Sequence, residues 1–263
     1  MQIFLDSADV DRIKIHAWDS ELIDGVTTNP TLILKSGGEP EEIYQQLKNI
    51  GIKDISMEVV AETAHEFVQE GRRLYENFGD CTTIKVPCTA AGLIACKQLT
   101  SEGIRVNVTL IFSQTQAILA AKAGATYVSP FVGRVDDNSF GGLCLVKDIV
   151  KVYKVHGVKT KVLAASLRGV RDVGRAFEYG ADIVTMPISI FEKMYCHVLT
   201  DAGLDQFWAD YKEYAALDSY PAEDSNITIN PNTEENIERK AYRYAGEKNP
   251  TPGINPLLPI PTD

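Results

Sequence analysis

The feature that most constrains the fold of this chain is a pattern that recurs eight times in its first ~200 residues. A short segment rich in Val, Ile and Thr is followed by a longer segment whose apolar residues recur at helical spacing. Short segments that are apolar on both faces are typical of parallel strands, which are buried on both sides. The predicted strands are Gln2–Leu5, Gly25–Thr28, Asp54–Val59, Thr82–Val86, Arg105–Leu110, Ala125–Ser129, Thr160–Ala165 and Ile183–Met186.

Helical segments lie between these strands, and several of them end at a glycine just before the next strand, which is the commonest way for a helix to stop. Eight strand–helix units in about 200 residues predict a single closed (β/α)8 barrel, a TIM barrel, rather than an open doubly wound sheet. No glycine-rich phosphate loop follows any predicted strand, which weakens nucleotide-binding alternatives. The predicted helices are Pro40–Ile50, Ala64–Phe78, Ala90–Glu102, Ser113–Ala123, Leu143–His156 and Gly169–Tyr179.

The end of the chain differs from the rest in composition. Ser189–Tyr214 has the pattern of one or two amphipathic helices, and seven of the twelve prolines follow residue 220. We therefore predict a catalytic barrel domain over residues 1–216 and a C-terminal helical and Pro-rich extension over residues 217–263.

Two interpretations of this extension stay open. It can be a disordered tail, or an arm that packs on a neighbouring subunit through its apolar residues. One segment of it, Glu234–Tyr244, can form a helix. The apolar residues available to an arm are Ile254, Leu257, Leu258 and Ile260.

Composition excludes several classes of partner. A formal charge of −10 argues against a surface for nucleic acid or for anionic membranes, but a local pair of arginines can still bind a small anion. The five cysteines are scattered, with no CxxC pair, which favours reduced thiols in the cytoplasm over disulfides or a zinc site. The N-terminal segment reaches Asp6 too soon for a signal peptide, and no apolar run approaches transmembrane length.

One lysine lies inside a predicted buried strand, in the run Thr83-Ile84-Lys85-Val86-Pro87. Burial disfavours the ammonium form, so the Lys85 amine can become a nucleophile and condense with a carbonyl substrate to form a Schiff base. The alternative is an ammonium that reaches out of the barrel or pairs with a carboxylate.

Polar residues also interrupt the ends of the predicted strands. Each has an ordinary structural explanation by itself, such as an N-cap for Asp6 or a turn residue for Asn29. Together they predict a polar cavity around Lys85, because the active site of such a barrel lies at the C-terminal mouth of its strands. The candidates are Asp6, Thr27, Thr28, Asn29, Glu58, Asn107, Thr109, Ser129, Phe131, Arg134, Ser166 and Arg168.

These residue types suggest a chemistry. Lys85 can attack a ketose carbonyl, with Asp6 or Glu58 as the acid/base and Thr109 as the holder of a water. Arg134 and Arg168 follow adjacent strands, on the usual phosphate side of such barrels, where guanidinium groups can hold a phosphate and serine hydroxyls can add contacts. For either arginine alone, a surface ion pair is the competing interpretation.

The strand-end motifs together resemble the transaldolase family over roughly residues 1–215, in its small branch that also contains fructose-6-phosphate aldolases. The motifs are Leu5-Asp6-Ser7-Ala8-Asp9, Gly25-Val26-Thr27-Thr28-Asn29-Pro30-Thr31-Leu32, Ile84-Lys85-Val86-Pro87, Asn107-Val108-Thr109-Leu110-Ile111-Phe112-Ser113, Ser129-Pro130-Phe131-Val132-Gly133-Arg134 and Ala165-Ser166-Leu167-Arg168.

This resemblance implies a mechanism without a cofactor or metal. Lys85 matches the Schiff-base lysine, Asp6 the acid/base, and Glu58 with Thr109 the pair that holds the catalytic water. The residues that match ligands of substrate hydroxyl and phosphate groups are Asn29, Asn107, Ser129, Ser166, Arg134 and Arg168. The family reaction moves a dihydroxyacetone unit from sedoheptulose 7-phosphate to glyceraldehyde 3-phosphate, giving erythrose 4-phosphate and fructose 6-phosphate.

The resemblance also implies a homo-oligomer, a pentamer or a decamer. Two positions favour transaldolases over the aldolase branch, which typically has Gln at position 58 and Tyr at position 131, where this chain has Glu58 and Phe131. The alternatives are an aldolase that releases dihydroxyacetone, an inactive barrel that only binds sugar phosphates, and a structural ring. A metal-dependent aldolase is disfavoured because the four histidines are dispersed.

Overall fold

The structure is a computed structural model that describes residues 1–18 and 22–217. In this part of the chain eight strands follow one another around a closed barrel, each parallel to both of its neighbours, so the predicted (β/α)8 fold is confirmed. The strands are β1 Gln2–Asp6, β2 Gly25–Thr27, β3 Ile55–Glu58, β4 Thr82–Pro87, β5 Arg105–Ile111, β6 Tyr127–Pro130, β7 Lys161–Ala164 and β8 Ile183–Met186.

The helices between residues 10 and 193 surround this barrel, and the one predicted over Ala64–Phe78 has those same bounds in the structure. The helices over Val10–Trp18, Pro30–Ser36 and Val132–Asp136 were not predicted, and the last two have only seven and five residues, too few for a clear periodicity. The helices are α1 Val10–Trp18, α2 Pro30–Ser36, α3 Pro40–Asn49, α4 Ala64–Phe78, α5 Ala90–Ser101, α6 Gln114–Lys122, α7 Val132–Asp136, α8 Gly142–His156, α9 Val170–Glu178, α10 Ile188–Lys193 and α11 Val198–Leu217.

The chain divides into two compact units, Met1–Tyr195 and Cys196–Asp263. The first contains the barrel and the helices up to α10. The second contains α11, and with α10 this helix accounts for the one or two helices predicted over Ser189–Tyr214. The boundary at residue 216 stays a prediction, and the predicted helix Glu234–Tyr244 and the apolar anchors of the extension lie outside the described residues. No helix in the described ranges has the length and apolar content needed to cross a membrane.

The core has two parts, because side chains of a strand alternate between the two faces of the sheet. One face of each strand packs under the helices, and there Leu5, Val26 and Ile84 are fully buried. The other face points into the barrel. A second apolar cluster, formed by Phe4, Tyr127, Leu163, Ala165 and Ile183, fills part of that interior.

The N-terminal end of the barrel is closed by a polar cluster around Asp54. The Oδ2 atom of Asp54 accepts hydrogen bonds from Arg105 Nη1 at 2.6 Å and from the Tyr127 hydroxyl at 2.7 Å, and Oδ1 accepts one from Thr83 at 2.8 Å. Burial raises the pKa of Asp54, and the charge of Arg105 opposes that shift. We call this group the barrel floor: Asp54, Thr83, Arg105 and Tyr127.

The start of α5 is packed too closely against β4 to accept a side chain at Gly92. A Cβ atom there would lie 2.1 Å from the carbonyl oxygen of Pro87, which belongs to the backbone. We expect Gly92→Ala to lower the free energy of unfolding by about 1–3 kcal/mol, the usual cost of overpacking. Urea denaturation measures the change.

The matched control is Gly174→Ala in α9, where a Cβ atom would meet nothing within 4 Å. Alanine in a helix interior is favoured over glycine, so this variant should be more stable by about 0.5–1 kcal/mol. Equal effects of the two substitutions would contradict the packing described for α5.

Candidate active site

A cavity of about 130 Å³ lies at the C-terminal ends of the barrel strands. Eight of the residues predicted from the sequence line it together. The predicted residues that line it are Asp6, Thr27, Asn29, Lys85, Ser129, Phe131, Arg134 and Ser166, and Ala165 and Thr185 complete the wall.

Lys85 is buried in β4 and is held by two acceptors. Its Nζ atom donates to Glu58 Oε2 at 2.9 Å and to the backbone carbonyl of Thr28 at 3.0 Å. Glu58 is the register partner of Lys85 on β3, which places the two side chains next to each other inside the barrel. The carboxylate pairing considered from the sequence is therefore present, and the lysine lines the cavity as well.

This ion pair is shielded from solvent, with only 6% of the Lys85 side chain and 17% of the Glu58 side chain exposed. Each charge of this buried pair compensates the other. Removing either one would leave an uncompensated buried charge and lower the stability of the fold. The pair also places a proton acceptor next to the amine. Glu58 can accept the ammonium proton of Lys85, and only the deprotonated amine is a nucleophile.

Asp6 ends β1 and faces the same cavity. Its Oδ1 atom accepts a hydrogen bond from the hydroxyl of Thr27, its register partner on β2, at 2.8 Å. Burial raises the pKa of Asp6, while the Lys85 charge and the Thr27 hydrogen bond lower it and the Glu58 charge raises it. A carboxyl group with a raised pKa can hold and release a proton nearer to neutral pH than an ordinary aspartate can.

A row of polar side chains lies behind Ser129. The Ser129 hydroxyl donates to Asn107 Oδ1 at 2.7 Å, and Asn107 Nδ2 donates to the Ser56 hydroxyl at 3.3 Å. Asn107 is fully buried and is the register partner of Lys85 on β5. These hydrogen bonds fix which side of the Asn107 amide faces each neighbour. They direct the proton of the Ser129 hydroxyl to Asn107, so that its oxygen is left as an acceptor.

Thr109 is unusual because its buried hydroxyl has no hydrogen-bond partner, a property that it shares with Thr82 alone among the described residues. It lies at an irregularity of β5, where the register with β6 shifts between Val108 and Ile111. Leu110 adopts a left-handed conformation there, with φ of 57°. Such strain in a bulky residue is uncommon, and bulges next to active sites re-aim side chains.

The segment after β2 uses two predicted site residues for structure. Asn29 caps α2, since its Oδ1 atom accepts the Leu32 amide at 3.0 Å. The Thr28 hydroxyl donates to the backbone carbonyl of Ser56 at 2.9 Å. Thr28 therefore contacts Lys85 through its backbone carbonyl and not through its hydroxyl, and only Asn29 of the two lines the cavity.

The two predicted arginines differ in position. Arg134 lines the cavity, and its guanidinium lies 5.1 Å from the centre of the Phe131 ring. Arg168 does not line it. Both of its terminal nitrogens are paired with the carboxylate of Asp137, with 2.6 Å from Nη1 to Oδ1, and its side chain is 57% exposed. Arg168 therefore forms a surface ion pair in this structure, which is the alternative to phosphate binding that the sequence left open.

Two polar residues described here were not among the sequence candidates: Thr185, which lines the cavity, and Asp137, which pairs with Arg168 outside it. Thr185 could have been predicted from the sequence. The alternation of side chains along β8 places it on the same face as Ile183, one of the apolar residues inside the barrel. Asp137 follows the short helix α7, and no pattern in the sequence connects it with Arg168.

Comparison with known proteins agrees with this geometry. The family model described as "Transaldolase/Fructose-6-phosphate aldolase" matches residues 3–235. The chain belongs to the transaldolase/fructose-6-phosphate aldolase family. A relative in this family from Anaeromyxobacter dehalogenans (strain 2CP-C), named "Probable transaldolase", is 49% identical over 213 residues, which are 81% of this chain and 97% of that protein.

Two more relatives in the transaldolase/fructose-6-phosphate aldolase family have the same printed name. The protein from Caulobacter vibrioides (strain NA1000 / CB15N) is 49% identical over 211 residues, 80% of this chain and 96% of its own length. The protein from Nitrosopumilus maritimus (strain SCM1) is 46% identical over 217 residues, 82% of this chain and 97% of its own length. The residues matched by the family model, 3–235, contain every residue that lines the cavity.

The raised pKa of Asp6 should make the stability of the protein depend on pH. Above that pKa the native protein carries a buried charge at a net cost, so Asp6→Asn should raise the free energy of unfolding at pH 7–8. As the pH falls through the raised value toward the ordinary 3.8, the native carboxyl takes a proton and the advantage of the variant should disappear. Urea denaturation at a series of pH values measures this.

The matched control is Asp148→Asn, which changes an exposed carboxylate of α8 and should alter stability little at any pH. A variant Asp6→Asn that is less stable than the wild type at pH 8 would contradict the prediction. It would mean that the attraction between Asp6 and Lys85 outweighs the loss of hydration.

Proposed function

We propose that this protein is a transaldolase that works through a Schiff base on Lys85. It would transfer a dihydroxyacetone unit from sedoheptulose 7-phosphate or fructose 6-phosphate to glyceraldehyde 3-phosphate or erythrose 4-phosphate, in the non-oxidative pentose phosphate pathway. The observation that carries the proposal is the buried Lys85 amine 2.9 Å from Glu58 at the wall of a cavity that Asp6 also lines. Membership of the family and the names of its relatives support it.

The first half of the reaction makes the Schiff base. Glu58 takes a proton from the Lys85 ammonium, and the free amine attacks the ketose carbonyl carbon to give a carbinolamine. A proton returned to the carbinolamine hydroxyl lets it leave as water, and the nitrogen lone pair forms the iminium. The unpartnered hydroxyl of Thr109 supports its role in holding that water, since buried polar atoms of this kind are commonly satisfied by water.

The second half breaks and remakes a carbon–carbon bond. Asp6 removes the proton of the C4 hydroxyl, the electrons of the C3–C4 bond move to the iminium nitrogen, and an aldose leaves. The resulting enamine attacks the carbonyl carbon of the acceptor, whose oxygen takes the proton back from Asp6, and water then hydrolyses the new iminium. The iminium is the electron sink, so no cofactor enters this sequence.

Substrate binding uses the remaining residues in this proposal. Asn29, Ser129 and Ser166 would contact the sugar hydroxyls, with Asn107 acting through its hydrogen bond to Ser129, and Arg134 would bind the phosphate at the mouth. Arg168 can join it only by releasing the carboxylate of Asp137, a small cost because exposed ion pairs contribute about 0–1 kcal/mol. We also propose, on the resemblance, a homo-oligomer in the cytoplasm, as a pentamer or decamer.

The second candidate is an aldolase of the fructose-6-phosphate type, which would release dihydroxyacetone without an acceptor. Phe131 disfavours it, because this ring at the cavity wall has no hydroxyl with which to protonate the enamine. A barrel that only binds sugar phosphates is a weaker candidate. Binding alone would not require a lysine with 6% of its side chain exposed.

Borohydride trapping tests the proposed function. Incubation with fructose 6-phosphate and borohydride should attach a dihydroxyacetone-sized adduct to Lys85, located by intact and peptide mass spectrometry. Lys85→Met should give no adduct. The control Lys151→Met changes an exposed lysine of α8 and should react like the wild type. A folded wild-type protein without an adduct, or with its adduct on another lysine, would overturn the proposal.

Phe131→Tyr tests the choice between the two activities. A phenol at this position can protonate the enamine, so the variant should release free dihydroxyacetone from fructose 6-phosphate in the absence of an acceptor. A coupled assay for dihydroxyacetone measures the gain over the wild type. The control Phe140→Tyr alters a ring that is 73% exposed and lies outside the cavity wall. The explanation fails if Phe131→Tyr releases no more than this control.

A further inference from the structure

Thr185 on β8 ends a chain of hydroxyl groups that leads to Asp6. Its Oγ1 atom lies 2.7 Å from Thr27 Oγ1, and the Thr27 hydroxyl donates to Asp6 Oδ1 at 2.8 Å. A hydroxyl group has a single proton to donate. Because Thr27 gives its proton to Asp6, the proton between the two threonines belongs to Thr185, and the direction of the chain is fixed.

We propose that Thr185 is a positioning residue for the proton transfers of Asp6, and that it acts through Thr27. This inference rests on the proposed function, since it assigns a role within the step that breaks the carbon–carbon bond. Thr185 lines the cavity, and its hydroxyl proton is directed to Thr27.

The barrel holds this chain in place. Asp6 and Thr27 are register partners on β1 and β2, and Thr185 on β8 pairs with Phe4, two residues before Asp6. Thr27 and Thr185 are each 2% exposed, so water competes little for their hydroxyls. Low exposure makes such hydrogen bonds stronger and an unmade one more costly.

The direction of the chain decides which oxygen of Asp6 exchanges a proton. Oδ1 is occupied by the Thr27 donor, and in the described residues Oδ2 accepts no hydrogen bond. A proton on Oδ1 would have to be donated to Thr27, which would reverse the chain. Thr185 would then have no acceptor for its proton among the described residues, so the proton of the acid form is directed to Oδ2.

The loss of the Thr185 hydroxyl would remove this constraint. Thr27 could then turn, and the proton of Asp6 could settle on Oδ1, where a hydroxyl separates it from the substrate. Imine formation uses Lys85 and Glu58 and should not depend on Thr185. Cleavage and remaking of the carbon–carbon bond use Asp6 and should depend on it.

The test compares Thr185→Val, which keeps the shape without the hydroxyl, with Thr185→Ser, which keeps the hydroxyl. We expect Thr185→Val to slow transfer from fructose 6-phosphate to glyceraldehyde 3-phosphate roughly tenfold, a fraction of the usual contribution of a general acid/base. The acid limb of its pH profile should move to higher pH, because weaker donation to the Asp6 carboxylate favours its protonated form. Thr185→Ser should recover most of the rate.

A second readout separates the two steps. Borohydride trapping with dihydroxyacetone itself requires imine formation but no carbon–carbon cleavage, so Thr185→Val should form this Lys85 adduct as fast as the wild type. If Thr185→Val does not fold, as judged by circular dichroism, Thr185→Ala replaces it.

Three outcomes would overturn the inference: a hydroxyl-free variant with the wild-type rate and pH profile, a Thr185→Ser variant as slow as the hydroxyl-free one, or trapping slowed as much as transfer. A wild-type protein that forms no adduct at all would instead overturn the proposed function. Trapping on the wild-type protein thus tests the Schiff-base function, and the Thr185 variants test the positioning role by themselves.

Discussion

Closure of the sheet between β1 and β8 is the constraint on which every group of the cavity depends. Closure turns the same face of eight strands toward one axis, and the parallel register then decides which side chains meet at one level. Glu58, Lys85 and Asn107 form one such level across three adjacent strands. A shift of one residue in any of these strand pairings would turn the site side chain of that strand outward to the helices. The strand register that defines the fold therefore also defines the site.

The interior that results is divided in its chemistry. Phe4 and Ile183 make one level of the interior apolar, while two residues further along the same strands Asp6 and Thr185 line the polar cavity. Charged groups lose hydration there, and for Asp6 this loss appears as a raised pKa. The rest of the core compensates for this loss, an exchange of stability for reactivity that is common in active sites.

The sequence predicted more of the barrel than of its surroundings, for physical reasons. Strand positions and the candidates Asp6 and Lys85 follow from alternation and from where the strands end, which are local properties. The pairing of Arg168 with Asp137 could not be predicted, since it depends on how two loops meet. The left-handed Leu110 could not be predicted either, because a bulge inserts an irregularity that no period describes.

The barrel floor determines from which end of the barrel small molecules can enter and leave the cavity. Its four side chains bond to one another at one end of the barrel, and Phe4, Leu163 and Ile183, all fully buried, fill the space between it and the cavity. The cavity is therefore closed toward the N-terminal end of the barrel. In the proposed reaction, the aldose released from the donor would leave by the same end at which the acceptor enters, and this sequence of release before entry is the order of a ping-pong reaction.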